Sequence, residues 1–442
     1  MLTTLRNSTI IATLALGTAA LAQDGPYAPY AGTTLVVNFP SHPHYNAVME
    51  VLPEFTAQTG INVEVDMLPY LDMRERQTLE LTLNEGAYDL IAYVVFSKAD
   101  YVYADQLENL AKYFMNPRLA DPNFDAKDII DGYLQNIGVA GGEKGYLPGP
   151  TGSLFGLPFG SETSVLFYRS DIFEKHGLSV PDTYDELLEL ACSIPELEPG
   201  MGGVASRAAS GHQAAHAFLL HLAPLGGRVF DDAWQPRIND AQGVAAAEAL
   251  KRIVDCGPEG SSAFGPAEAA NAFSQGQAAM FLDTIAYAPN LEDSSRSAVA
   301  GNVGYAMHPM GVTRASQTGG FGLGIPANAE NKEAAFLLMQ WLTSKEGDLA
   351  VAMAGGNPSR FSTYANEELN AQYPWSATFG AALEYADPDW RPIIPAWGRI
   401  NADIGTTLSQ VLTQGVDIQE ALDGIAARTQ TLMEEQGYYI WD

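Results

Sequence analysis

Apolar positions along this chain switch between two periods, short strand-like runs and longer stretches at helical spacing. Residues 34–39 form a run of buried-strand character; Val48, Val51, Leu52 and Phe55 then recur on one helical face, closed by Thr59-Gly60. Residues 61–65 alternate as a second strand, a helix is predicted over about 72–84, and 88–95 form a third strand. A βαβαβ start of this kind requires a largely parallel sheet, with crossover helices on its faces and ligand sites beyond the carboxyl ends of its strands.

The rest of the chain repeats the theme with less regularity. Residues 117–158 are rich in Gly, Pro and Asp and mark a shift in composition, and 164–168 read as a strand. Thr183 and Glu186 have the spacing of a capping box, ahead of a helix that buries Leu187, Leu190, Ala191 and Ile194. Further helices are predicted over 242–254 and around Ala334, Leu338, Trp341 and Leu342, with strands at 303–307 and 321–325.

With 442 residues, two to three domains are expected, and 47% hydrophobic content is that of a globular chain able to offset its ordering entropy. Fifty-three acidic against 23 basic residues give a net charge of −30. No cluster of cations exists to neutralise phosphates or anionic lipid headgroups, so nucleic acid and membrane surfaces are excluded as partners. The N-terminus reads as a secretory signal peptide: Arg6, an apolar stretch over 10–16, and Ala20-Leu21-Ala22 as a cleavage site before Gln23. Cleavage after Ala22 leaves a chain of charge −31 with no lipid-accepting Cys and no span of about twenty apolar residues, expected free in a bacterial periplasm. That compartment permits a bridge between Cys192 and Cys256, but spacing alone leaves open whether the two meet.

Catalytic signatures are missing. There is no G-x-S-x-G, H-E-x-x-H or P-loop, and Gly319-Gly320-Phe321-Gly322-Leu323-Gly324 has the wrong spacing and context for dinucleotide binding. His42 with His44, and His212 with His216 and His221, raise a metal reading, but neither set completes a ligand sphere, so no metal or other cofactor is expected. A carboxylate pair suited to glycoside hydrolysis carries no weight among 53 acids.

Five stretches, in order, carry a resemblance: 88–91 (YDLI), 156–159 (GLPF) leading to 166–173 (LFYRSDIF), 180–187 (VPDTYDEL), 272–280 (AFSQGQAAM), and Ile325-Pro326 ahead of 331–335 (NKEAA). In these the chain resembles the extracellular solute-binding proteins of bacterial ABC transporters, in the carbohydrate- and polyol-binding, maltose-binding-protein-like group. The resemblance runs from about residue 31 to 365. It implies an α/β, two-lobed periplasmic binding protein fold of type II, with the ligand in a cleft between discontinuous lobes joined by a hinge. The N-terminal lobe is expected to take 31–160 and 290–328, and the C-terminal lobe 161–289 and 329–442. The implied function is delivery of a sugar, polyol or small glycoside to permease subunits by a monomer that catalyses no reaction. The readings kept beside it are a secreted carbohydrate-active enzyme and a chemoreceptor ligand-binding protein.

Such ligands need aromatic faces for their C–H surfaces and planar polar groups for their hydroxyls. Strand-end loops supply candidates: Ser41, His42, His44 and Tyr45; Phe96 and Ser97; Ser161 and Glu162; His212 and Gln213; Asp283 and Tyr287; and Gly320. The group commonly has a Trp after the Ala-Ala-Met strand, where this chain reads 281–287 FLDTIAY; either Tyr287 takes that role or Asp283 accepts from hydroxyls of a smaller, more polar ligand. Arg360, in the Gly355–Arg360 loop, offers a fork for a diol, carboxylate or sulfonate, or is tied to a nearby acid. Trp375, Trp390 and Trp397 are stacking candidates or core residues.

Overall fold

A computed structural model of the chain describes residues 25–141 and 152–439. The signal-peptide segment and the Leu147–Pro150 stretch lie outside them. Among the described residues there are eleven strands: β1 (Thr34–Pro40), β2 (Asn62–Leu68), β3 (Leu90–Val94), β4 (Val139–Ala140), β5 (Ser153–Leu154), β6 (Leu157–Glu162), β7 (Ser164–Arg169), β8 (Gly202–Ala205), β9 (Ala278–Thr284), β10 (Val303–Met307) and β11 (Gly319–Gly324). They form a five-stranded sheet in the order β2-β1-β3-β11-β6, a four-stranded sheet in the order β10-β7-β9-β8, and the small β4-β5 pair. The βαβαβ expectation holds: β1 pairs in parallel with both β2 and β3. β11 then runs antiparallel between β3 and β6.

Both sheets contribute to one large apolar cluster, and the second sheet has a further cluster of its own. Leu35, Val37, Phe39, Leu90, Ile91, Ala92 and Leu323 of the first sheet are fully buried. In the second, Leu166, Met280 and Leu282 pack with Leu187, Ala191, Ile194 and Ile253. The capping box at Thr183 and Glu186 is formed and opens the helix Tyr184–Leu197. No helix among the described residues is long and apolar enough to cross a membrane.

The pairing departs from the expected lobe division at two places. Residues 290–328 are split: β10 is antiparallel to β7 of the second sheet, and only β11 joins the first. The cause is aromatic packing, since Tyr305 of β10 lies against Phe167, Phe379 and Trp375. Residues 329–442 are split as well. Helix Lys332–Leu342 covers the first sheet, where Phe336 meets Tyr113 and Phe114 and Trp341 meets Phe55. The Trp341 indole N–H also donates to Gln58 Oε1 at 2.9 Å.

The two sheets are linked through three chain segments that run side by side. Thr163 and Ser316 share a hydroxyl hydrogen bond of 2.7 Å, Ser316 pairs with Ala386 as an isolated bridge, and the Thr318 hydroxyl donates to the Asp387 carbonyl. Ser164 Oγ accepts from the Gln317 N–H at 3.2 Å. The hydroxyl and amide groups of these crossings are buried and fix the register between the sheets, beside an apolar cluster to which both contribute, through Val37 and Phe159 of the first and Val165, Phe167 and Phe281 of the second.

Cys192 and Cys256 are joined, tying the helix Tyr184–Leu197 to the end of Ala241–Asp255 across a sequence separation of 64. Closing a loop of that length restricts the unfolded chain, and the double substitution Cys192→Ser/Cys256→Ser is expected to lower the unfolding free energy by about 3 kcal/mol. Urea titration of oxidised wild type against the variant measures it; a difference below about 1 kcal/mol would show that helix packing alone holds this corner.

Candidate ligand-binding site

Between the sheets lies a cavity of about 340 Å³. The first sheet supplies one wall from a single edge: Ser41 and His42 follow β1, Tyr70 follows β2, Phe96 follows β3, Glu162 ends β6, and Gly319, Gly320 and Phe321 start β11. The antiparallel β11 begins where its parallel neighbours end, which is why it shares their edge. Gly320 has φ +98°, and a Cβ there would lie 2.1 Å from the Gly160 carbonyl oxygen, so only glycine lets β11 bulge against β6 at this point.

The opposite wall comes from the second sheet. Arg207 follows β8; Thr284 and Tyr287 follow β9; His212, Gln213 and His216 occupy the first turns of helix His212–Leu222. Gly405 has no side chain, and this lets helix Trp397–Gln414 approach the Gly211 backbone and fix that helix start, since a Cβ would sit 1.6 Å from the Gly211 oxygen. Gln317 and Arg391 enter from the connecting segments.

The polar groups are mutually oriented. Asp283 is fully buried and holds Arg207 with two bonds, Nε to Oδ2 at 2.7 Å and Nη2 to Oδ1 at 2.6 Å. Burial works against the Arg207 charge, but Asp283 more than compensates and raises its pKa. Arg207 Nη1 in turn donates to Gln213 Oε1 at 3.3 Å, which leaves the Gln213 amide N–H groups for a ligand. Glu162 lies 3.0 Å from His42 Nε2 and accepts from the Thr284 hydroxyl at 3.0 Å. Burial pushes the Glu162 carboxyl up, while His42, Thr284 and the Arg207 charge outweigh it and hold it below its ordinary range as an acceptor for hydroxyls.

His212 is kept neutral, its pKa lowered to about 3 by burial and by the nearby charges of Arg391, Arg207 and Arg74. Its Nδ1 pairs with the Asn401 amide at 3.1 Å, so Nε2 carries the hydrogen and donates. The Tyr287 phenol is held protonated by burial. Together these groups present donors and acceptors in close alternation, with the Phe321, Tyr287 and Tyr70 rings between them.

Of the candidate residues, Ser41, His42, Phe96, Glu162, His212, Gln213, Tyr287 and Gly320 line the cavity. The others do not. His44 is buried, its ring edge-on to Phe159 and its Nδ1 accepting from the Asn357 N–H at 3.0 Å. Tyr45 is buried beneath Phe321 and His42. Ser97 is buried at the start of helix Ser97–Tyr103, and Ser161 is bound to the Ser359 hydroxyl at 2.7 Å. Asp283 reaches the cavity only through Arg207.

Arg360 is 1% exposed and committed elsewhere: Nε donates to Thr343 O at 2.7 Å, Nη2 to Phe124 O at 2.9 Å, and Nη1 to Asp125 O at 3.0 Å and Asp128 at 3.2 Å. Trp397 is 1% exposed and packed in the core. Trp390 is buried too, its N–H donating to Leu219 O at 2.9 Å. The sequence reading missed Tyr70, Arg207, Gln317, Phe321 and Arg391. A strand-end signal was present for Arg207, two residues past β8, whereas Arg391 lies in an irregular segment with no periodic mark. No group of three or more His, Cys, Asp or Glu that could hold a metal occurs among the described residues.

The chain is 28% identical over 393 residues to the mannitol-binding protein of Pseudomonas aeruginosa, covering 83% of this chain and 85% of that one. It is 26% identical over 334 residues to the erythritol/L-threitol-binding protein of Mycolicibacterium smegmatis, covering 74% and 69%. The crystal structure of an ABC transporter solute-binding protein from Agrobacterium radiobacter K84 in complex with ribitol superposes with a TM-score of 0.81 at 25% identity, over 91% of this chain and 99% of that one. That likeness identifies the fold as the two-lobed type II arrangement expected from the sequence. The family model for bacterial extracellular solute-binding proteins matches residues 40–348, and the chain belongs to that family.

Proposed function

We propose that this protein is the ligand-binding component of an ABC importer, taking a polyol or monosaccharide-sized carbohydrate and presenting it to membrane permease subunits from the periplasm. The observation that carries the reading is the cavity itself: both sheets contribute to it, and its polar groups are pre-oriented by partners behind them. Its volume is at the small end for ligand pockets, which suits one polyol chain or sugar ring better than an oligosaccharide. Relatives that bind mannitol and erythritol, and a similar fold solved with ribitol, support the class. A ligand touching both walls stabilises the closed arrangement, and a permease distinguishes loaded from empty protein through its differential affinity for that arrangement.

The test is a thermal-shift screen of D-mannitol, ribitol, erythritol, D-glucitol and D-glucose, with titration calorimetry on the hits. A true ligand at one hundred times its dissociation constant adds about 2.7 kcal/mol of stability. Product analysis of the same mixtures covers the enzyme alternative. Absence of binding across the panel and across its acidic counterparts, or turnover of a glycoside, would overturn the proposal.

A further inference from the structure

The cavity wall holds guanidinium donors that no carboxylate among the described residues contacts directly, although the Glu162 carboxylate lies in the same wall and Asp100 lies near Arg74. Three guanidinium groups, those of Arg74, Arg207 and Arg391, are close enough to act on both Tyr70 and His212. Arg207 is neutralised by Asp283, and Glu162 is engaged by His42 and Thr284. Arg391 has no such partner. It is 4% exposed, lies 4.4 Å from the Trp390 ring centroid and 5.2 Å from that of Phe96, and makes no ion pair with any carboxylate among the described residues. Its one side-chain hydrogen bond runs from Nη2 to His216 Nδ1 at 3.4 Å, and its Nε has no partner.

Arg74 completes the arrangement. Its guanidinium carbon is 4.8 Å from the same Phe96 ring, and its Nε is buried without a partner as well. His216 Nε2 is a third buried polar atom with none. Because Arg391 is placed against His216 Nδ1, that Nε2 carries hydrogen, so all three unpartnered atoms are donors. The start of helix His212–Leu222 adds the positive end of its dipole on the same wall. Burial drives the Arg391 pKa down to about 10, with Arg207 and Arg74 pushing the same way and Tyr70 and the Glu162 carboxylate only partly opposing them.

A neutral polyol satisfies donors but gives Arg391 no direct ion pair. Resting on the carbohydrate reading above, we infer that the natural ligand is an acidic carbohydrate, a polyhydroxylated molecule whose anionic group docks between Arg391 and Arg74 on the Phe96 side of the cavity. Its hydroxyls then meet Glu162, Gln213 and the Arg207–Asp283 pair. A planar carboxylate accepts the guanidinium fork in two parallel bonds, and a phosphate or sulfonate offers the same oxygens in a tetrahedral array.

The experiment is calorimetric titration at fixed ionic strength of matched pairs: D-gluconate with D-glucitol, D-glucuronate with D-glucose, and D-glucose 6-phosphate and 6-deoxy-6-sulfo-D-glucose each with D-glucose. The expected result is that in at least one pair the acid binds about 100-fold tighter than its neutral partner, and that Arg391→Gln collapses the ratio to below about fivefold. Which acid wins identifies the group. Where Arg391→Gln does not fold, Arg74→Gln, at a half-buried position, is expected to reduce the ratio at least about tenfold. Neutral members binding as tightly as the acids would overturn the inference and leave the polyol reading standing. Binding by no member would defeat both. An acid preference that survives the arginine variants would remove the charge from its assigned place.

Discussion

Asp283→Ala is expected to weaken the tightest ligand of the polyol and sugar panel by about 100-fold or more and to cost about 3–5 kcal/mol of unfolding free energy. Both effects arise from one geometry. The carboxylate is fully buried at the end of β9 and fixes Arg207 with two bonds, while its Oδ1 also accepts from the Thr284 N–H at 2.7 Å. Removing it leaves a guanidinium in the cavity wall with only Gln213 to hold it, so the charge is uncompensated and the fork loses its aim. Gln213 loses its orienting donor in turn. Asp283→Asn keeps the volume but not the charge and is expected to fall between the two. Chemical denaturation and calorimetry on the same preparations separate the outcomes. Stability lost with affinity within threefold of wild type would place the pair in the scaffold alone.

The site was half legible in the sequence, for a reason that Arg207 and Arg391 make plain. Residues placed directly at strand ends, such as His42 after β1, Phe96 after β3 and Tyr287 after β9, follow from the rule that open α/β sheets present ligands at those edges. The same rule does not say which side chain of a strand-end loop turns outward. His44 and Tyr45 sit two and three positions from the helix cap at His42 that defines the wall, yet both face the core. Arg391 was invisible because it arrives on an irregular segment, brought to the cavity by long-range contacts of Trp390 with Leu219 and His216 rather than by any local pattern.

Lobe membership was misread for a similar reason. β10 was recognised as a strand over its full length, but its partner is chosen by Tyr305 meeting Phe167, and a pairing between residues so far apart leaves no trace in periodicity. The acidity read from composition misleads in the same way if taken locally. A chain of charge −30 carries a cavity lined by two arginines, Arg207 and Arg391, with a third, Arg74, close by, because net charge reports solubility and long-range fields while a site is set by a few placed groups.

Arg360→Ala is the second large effect, and it is expected to act on stability alone. The guanidinium bonds the carbonyls of Thr343, Asp125 and Phe124, meets Asp128, and lies 4.8 Å from the Phe124 ring, so it joins the 124–130 loop to the chain after helix Lys345–Met353. Asp128 is itself held on Ser362, and the Ile130 N–H donates to Ser359 O at 3.1 Å, so the fork closes one continuous seam. Truncation leaves buried carbonyls and one carboxylate without their donor, a loss of about 3–5 kcal/mol. Lysine cannot reproduce a fork with donors on three sides, so Arg360→Lys is expected to recover less than half. Ligand affinity, measured where the variant remains folded, should stay within about twofold of wild type, since no atom of this seam lines the cavity. A tenfold loss of affinity at unchanged stability would return Arg360 to the site and would mean that the loop carrying it moves into the cleft when ligand binds.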